Sequence, residues 1–185
     1  MALLDAASEV LAEKGYEAAT MSEIAERAHA AIGSLYQFFP NKESIACALH
    51  THCGQEIEKL WMPLLRPTKH LNLRETLNRL IQVTVDYIDT HPVALALQHA
   101  PKSTWNTRIR MHLEQRIAKF FISASSGATQ AEAKIYAAVC MQLIKSCSEQ
   151  YLQTEPRKRK RIIYEYKLLL ACYADSRLTN SHTTQ

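Results

Sequence analysis

Apolar residues recur along most of this chain at spacings of three and four, the period of a helix lying on a core. Leu3, Leu4, Ala7, Val10 and Leu11 make one stripe, which predicts a first helix over 2–14. Lys14 and Gly15 close it, a cation and then a residue at ease in a left-handed cap, and Tyr16 packs over the end. Thr20 and Glu23 have capping-box spacing and open a second helix, with Ile24, Ala25 and Ala28 on one face. A third runs over 32–39, where Leu35 and Phe39 share the face that meets Ile24 and Ala28. Pro40 stops it, and Asn41 caps a fourth helix over 42–61 that breaks at Pro63 and Pro67. The fifth runs from Asn72 or Leu73 to Thr90, with Leu73, Leu77, Leu80, Ile81, Thr84, Val85 and Ile88 buried. A short sixth covers 92–99, and Ser103 or Thr104 caps a seventh carrying Ile109, Leu113, Ile117 and Phe120 on one side. After a linker over 123–129, an eighth over 130–153 and a ninth over 156–176 finish the chain. With 4 Gly and 6 Pro in 185 residues and frequent Ala, Leu, Glu, Lys and Gln, the pattern predicts an all-α fold of about nine helices.

The stretch from Thr20 to Lys42 thus holds two short helices, a tight turn and a proline stop. With Leu35 and Phe39 turned inward, Gly33, Ser34, Tyr36 and Gln37 point elsewhere. They are small or hydrogen-bonding, as a surface pressed against nucleic acid requires, so the arrangement predicts a helix-turn-helix. The wider stretch LLDAASEVLAEKGYEAATMSEIAERA, followed by IGSLYQFFPNKE, closely resembles the amino-terminal DNA-binding domain of the TetR family of transcriptional repressors, from Leu3 to about Leu49. The AEKGYE turn, the IAERA helix and the GSLYQFFPNK segment come in that family's order and spacing.

The resemblance implies a helix-turn-helix DNA-binding domain over 1–45 and an effector-binding and dimerisation domain over 46–185. It implies that Thr20 and Ser22 bond backbone phosphates, that Gly33 lets the helix approach the groove, and that Ser34 and Gln37 face base edges. A Gln side chain can donate to and accept from adenine. Tyr36 and Lys42 would meet phosphates and Ile32 a thymine methyl. The alternative for Tyr36 is a core aromatic, and for Gln37 a solvated side chain. Two positions depart from the family's pattern. His29 stands in the turn where Gly is frequent, and Ala31 where Ser or Thr often caps the recognition helix, a loss of about 1 kcal/mol. A strained turn is expected. The family also carries a few residues, often basic, before the first helix; here such an arm is missing or lies outside this sequence.

Charge qualifies this reading. The total is +4, but over 1–45 three bases (Lys14, Arg27, Lys42) face seven acids (Asp5, Glu9, Glu13, Glu17, Glu23, Glu26, Glu43), a net −4. Overall charge therefore does not argue for DNA; the motif does. Five Cys without framework spacing fit reduced thiols in a cytoplasm. No apolar run approaches the roughly 18 residues of a membrane span, and the start MALLDAASEV lacks the layout of a signal peptide.

In the second half, the apolar residues of IIYEYKLLLACYA wrap more than one stripe of the ninth helix. A terminal helix buries a second side most simply against a symmetry mate, which predicts a homodimer through the eighth and ninth helices. The run Arg157-Lys158-Arg159-Lys160-Arg161 circles the start of that helix and reads as a solvated face, although it has the charge to bind nucleic acid. Cys47, His50, His52 and Cys53 on the fourth helix do not converge, so no metal is expected; core Cys and surface His are the simpler reading. By the resemblance, an apolar or aromatic effector would sit among helices four to eight and spread the two DNA domains beyond their groove spacing. Trp61, Thr84, Tyr87, Gln98, Trp105, His112 and Met141 are its candidate contacts, each with ordinary core or surface as the alternative. The reading is a repressor released from a palindromic operator, without cofactor. Its rivals are a regulator without effector and an all-α enzyme, for which no phosphate loop, metal spacing or nucleophile motif speaks.

Overall fold

The computed structural model describes residues 2–66, 72–100, 107–124 and 127–179. Among them nine α-helices follow one another without a strand: α1 (Ala2–Ala18), α2 (Met21–Arg27), α3 (Ile32–Phe38), α4 (Lys42–Leu64), α5 (Leu73–Thr90), α6 (Val93–Ala96), α7 (Thr107–Ala124), α8 (Gln130–Gln153) and α9 (Pro156–Thr179). A single 3₁₀ turn, Leu97–His99, continues α6. The expected cap of α7 at Ser103 or Thr104 and the breaks at Pro67 and Pro101 lie outside the described residues.

The helices form two compact units, Met1–Glu56 with Tyr87–Thr107, and Ile57–Asp86 with Arg108–Gln185. These do not follow a division at residue 45. The reason is α6, which packs against α1 and puts Val93, Ala96, Leu97 and Ala100 into the same core as Val10, Leu11, Ile24, Leu35, Ile45 and Leu49.

In the first unit the local chemistry sets each boundary. Gly15 breaks α1 with φ +79° and ψ 166°, a conformation open to glycine, and a further turn then runs to Ala18 with Tyr16 buried. Thr20 caps α2 in a full capping box with Glu23. The end of α2 is a Schellman motif: the Ala30 amide donates to the Ala25 carbonyl at 2.9 Å and the His29 amide to Glu26 at 3.0 Å. His29 takes the left-handed place with φ +51°, the strain expected of a non-glycine residue there. Ala31 caps α3 with no side-chain bond. Asn41 opens α4, its Oδ1 accepting from the Ser44 amide at 2.8 Å. Helix α4 then continues through Pro63 to Leu64, past the expected end near Trp61; close to a helix end a proline interrupts little of the ladder. On α4 Cys47 and His52 are exposed, while His50 and Cys53 are half-buried, so Cys47 is not core and His50 is not surface.

In the second unit α5, α7, α8 and α9 turn one face inward. Leu77, Leu80, Ile81, Leu113, Ile117, Phe121, Ala133, Ala137 and Leu170 are almost wholly buried. Thr129 caps α8 in a second capping box, with Glu132. Tyr136 stands edge-on to Phe121 and to Tyr173, with ring centroids 5.4 and 6.4 Å apart. Burial pushes the Cys140 thiol up to about 12 and that of Cys147 up to about 11, so both behave as small core residues.

The left-handed backbone at His29 gives a direct test. His29→Gly should raise the stability of the protein to urea by about 1 kcal/mol, read from the unfolding midpoint. Unchanged or lower stability would mean that the His29 side chain contributes as much as its backbone costs.

Candidate nucleic-acid interface

Helix α3 is seated by Leu35, which is fully buried in the first unit's core, and by Phe39, half-buried against it. With that side fixed, Ile32, Gly33, Ser34, Tyr36, Gln37 and Phe38 all reach the surface. Tyr36 is 50% exposed and not a core aromatic. Phe38 is 70% exposed and was not singled out by the helical pattern, because its neighbour Phe39 carries the inward contact. A Cβ added at Gly33 would meet nothing within 4 Å, so nothing inside the protein requires a glycine at this point of the helix. Glycine in a helix costs about 1 kcal/mol relative to alanine, so the bare backbone is a feature of the outer surface.

Thr20, Ser22 and Lys42 flank this face, and two of them already have work inside the protein. The Thr20 hydroxyl donates to Glu23 Oε2 at 2.9 Å and accepts from the Glu23 amide at 3.3 Å. Lys42 Nζ donates to the carbonyls of Glu17 (2.9 Å) and Ala19 (3.0 Å), and it lies 4.6 Å from the centre of the Tyr16 ring. An ammonium has three N–H groups, so one remains for an outside acceptor. Ser22 is exposed.

The other two bases of this segment are tied to acids. Lys14 pairs with Glu23. Arg27 donates to both oxygens of Glu13 at 2.9 and 2.7 Å, and to Glu9 at 3.2 Å. The hydrogen bond from Arg27 holds the Glu13 carboxyl below its ordinary 4.5, and that from Lys14 does the same for Glu23. A depressed carboxyl keeps its pairing above its unfolded value and loses it as pH falls, so these ties are complete at neutral pH and release only in acid. The outward residues of α3 themselves, Ile32, Gly33, Ser34, Tyr36, Gln37 and Phe38, carry no formal charge.

The residues singled out as effector contacts are divided between the two units. Tyr87 and Gln98 belong to the first unit, where Tyr87 is buried, bonded to the Cys53 thiol and stacked on His91 at 3.9 Å. Burial pushes the Tyr87 hydroxyl well above its usual range. In the second unit Trp61 Nε1 donates to Thr84 Oγ1 at 3.0 Å, and Thr84 in turn donates to the Leu80 carbonyl at 2.8 Å. That link is buried and satisfied. His112 Nδ1 lies 2.6 Å from Glu58 Oε1, and Met141 is buried. Trp105 lies outside the described residues. An open cleft of about 430 Å³, with Asn72, Arg79, Gln82 and Lys167 in its wall, involves none of the seven. Among the described residues no group of three or more His, Cys, Asp or Glu is placed to hold a metal ion, and no helix is long and apolar enough to cross a membrane.

Three helices with a capped, glycine-like turn and a polar outer face on the third define a helix-turn-helix protein. Residues 3–49 match the family of bacterial regulatory proteins of the tetR type, and residues 72–173 match the tetracyclin repressor-like C-terminal domain. The chain belongs to the TetR family. It is 44% identical over 61 residues to the fatty acid metabolism regulator protein of Bacillus subtilis, a stretch that covers 32% of this chain and 31% of that protein. The alignment thus spans about a third of the relative. A TetR-family transcriptional regulator from Streptomyces coelicolor has the same fold, with a TM-score of 0.74 at 22% identity over 96% of this chain and 98% of that one. So does the regulator FadR of Bacillus subtilis, solved in complex with stearoyl-CoA, with a TM-score of 0.61 at 21% identity over 99% and 97%.

Because space around Gly33 is open, Gly33→Ala should fold normally and raise stability in urea by up to about 1 kcal/mol. A loss of stability would show that the helix needs a glycine for its own packing.

Proposed function

We propose that this protein is a transcriptional repressor that holds a palindromic operator as a homodimer and releases it when a small molecule binds. The observation that carries the reading is the outer face of α3, where Gly33, Ser34, Tyr36 and Gln37 are exposed over a buried Leu35. In this reading Ser34 and Gln37 meet base edges in the major groove, and Ile32 and Phe38 offer apolar contact to thymine methyls. Gly33 allows close approach. Tyr36, Thr20, Ser22 and the remaining donor of Lys42 hold phosphates, and these contacts fix the register of the helix.

The dimer runs through α8 and α9. Tyr164, Leu168 and Leu169 are exposed on α9, although its other side buries Leu170, Ala171 and Ala174. On α8, Ile135 is exposed as well. Two apolar sides on one helix are accounted for by a second copy. The effector acts through differential affinity for the DNA-holding and released forms, since a ligand that binds both equally shifts nothing. Buried Trp61 and Met141 in the second unit favour an apolar or aromatic molecule. The protein acts in the cytoplasm, where its DNA is, and needs no cofactor.

Selection from a random duplex pool tests the reading. A two-fold consensus with half-sites about one helical turn apart is expected, and no enrichment would reject it. On that consensus Tyr36→Phe should weaken binding by about tenfold at fixed salt, and Gly33→Ala should weaken it despite its gain in stability. Leu169→Arg should give monomers in sedimentation; an intact dimer would exclude the α9 interface.

A further inference from the structure

The first unit's charge raises a question that its surface does not answer. Binding to duplex DNA draws most of its sequence-independent affinity from cations that displace counterions. Yet of the three bases of residues 2–45, Lys14 and Arg27 are paired with acids and Lys42 keeps a single donor beyond two carbonyls, among seven acids. Among the described residues the densest run of cations is the first turn and a half of α9, Arg157 to Arg161.

That run does not circle the helix evenly. At 3.6 residues per turn Arg157, Lys158, Lys160 and Arg161 fall within an arc of about 160°. Arg159 lies opposite, turned inward: its Nε donates to the Thr154 carbonyl at 3.1 Å and its guanidinium covers the Tyr151 ring at 4.7 Å. The other four reach solvent in the single chain, with the side chains of Arg157 and Arg161 79% and 74% accessible. They lie on the same side of α9 as Tyr164 and Leu168 but about one to two turns nearer its N-terminus, so they would extend beyond the proposed dimer contact at that end. Glu155 and Glu165 offset them through surface pairs of little strength. Cations at a helix N-terminus also oppose its dipole, so their position works against folding. Arg159 is tied to the fold by backbone and ring; the outward cations are held only by exposed pairs, with Glu155 and Glu165 and, for Arg161, with the Tyr164 ring at 5.4 Å, and such pairs can be exchanged for phosphates.

We propose that Arg157, Lys158, Lys160 and Arg161 form a second DNA-contacting surface, one that grips duplex phosphates without regard to sequence. It adds electrostatic attraction to a helix-turn-helix in which only Lys42 has a spare cationic donor. The four charges span about 6 Å of helix axis, against a duplex that carries one phosphate charge per roughly 1.7 Å. The inference rests on the DNA-binding reading above. It divides labour along the chain: the neutral face of α3 reads bases, and the start of α9 holds backbone.

The test uses the full chain with all four cations changed to glutamine (R157Q, K158Q, K160Q and R161Q), leaving Arg159 in place. Affinity for the selected consensus and for a random duplex is followed by fluorescence anisotropy between roughly 50 and 300 mM KCl. The plot of log affinity against log salt should flatten by about 0.9 for each phosphate that is no longer neutralised, hence by about two units or more per dimer. Binding near 0.1 M salt should fall at least about tenfold for both duplexes, with their ratio unchanged. Stability in urea should hold or rise, and R157K with R161K should keep the wild-type slope. A quadruple variant with wild-type slope and affinity would overturn the proposal, while specific binding by the wild type would leave the repressor reading standing. Loss of binding to anionic phosphatidylglycerol vesicles with no change on DNA would likewise overturn it, in favour of a membrane surface. Should the wild type bind no duplex at all, both readings fall.

Discussion

A seven-residue helix has no standing of its own in water, because nucleation costs more than so few hydrogen bonds return. Helix α3 exists because Leu35 enters the core between α1, α2 and α4. Truncating a buried leucine of this kind costs about 2–5 kcal/mol, enough to unseat a helix whose N-terminus has no side-chain cap. The Schellman turn before it and Pro40 after it limit where the helix can start and stop. One apolar contact and two punctuated ends therefore aim the whole outer face.

The same unit manages charge by pairing. Arg27 and Lys14 cross from one helix or loop to another to meet Glu13, Glu9 and Glu23, and Lys42 gathers two carbonyls at the α1–α2 connection. Exposed pairs of this kind are each worth little, about 0–1 kcal/mol. Their larger effect is on what is left over: a surface around α3 made of hydroxyls, an amide and apolar groups. Such a surface discriminates through geometry, and it gains little from long-range attraction.

Much of this was readable in the residues because the signals are local. Thr20 with Glu23, and Asn41 ahead of Lys42, mark helix starts by side-chain chemistry alone, and each cap forms. His29 and Ala31 announced a turn without its usual residues, and the positive φ and the uncapped α3 follow. The misses are non-local. Nothing in VALALQHA says that α6 will lie on α1, since a short apolar run fits many partners. The two carbonyl partners of Lys42 come from residues more than twenty positions earlier, so a linear reading does not show them; they leave one donor for the proposed phosphate. The period turns Phe39 inward with Leu35, as found, but nothing in the residue type marks its outward neighbour Phe38 as part of the face. The five consecutive bases of α9 hid their asymmetry for the same reason, until Arg159 was seen to fold back.

The vacant surroundings of Gly33 have an evolutionary corollary. A side chain introduced there meets no neighbour of its own fold, and Ser34 and Gln37 beside it are equally unencumbered by the core. On the proposed reading, point changes at these positions would alter the contact with DNA while leaving the scaffold intact. Along α3 the outward positions are thus free of the packing that Leu35 imposes, so a reading helix of this kind could change what it contacts without changing how it folds.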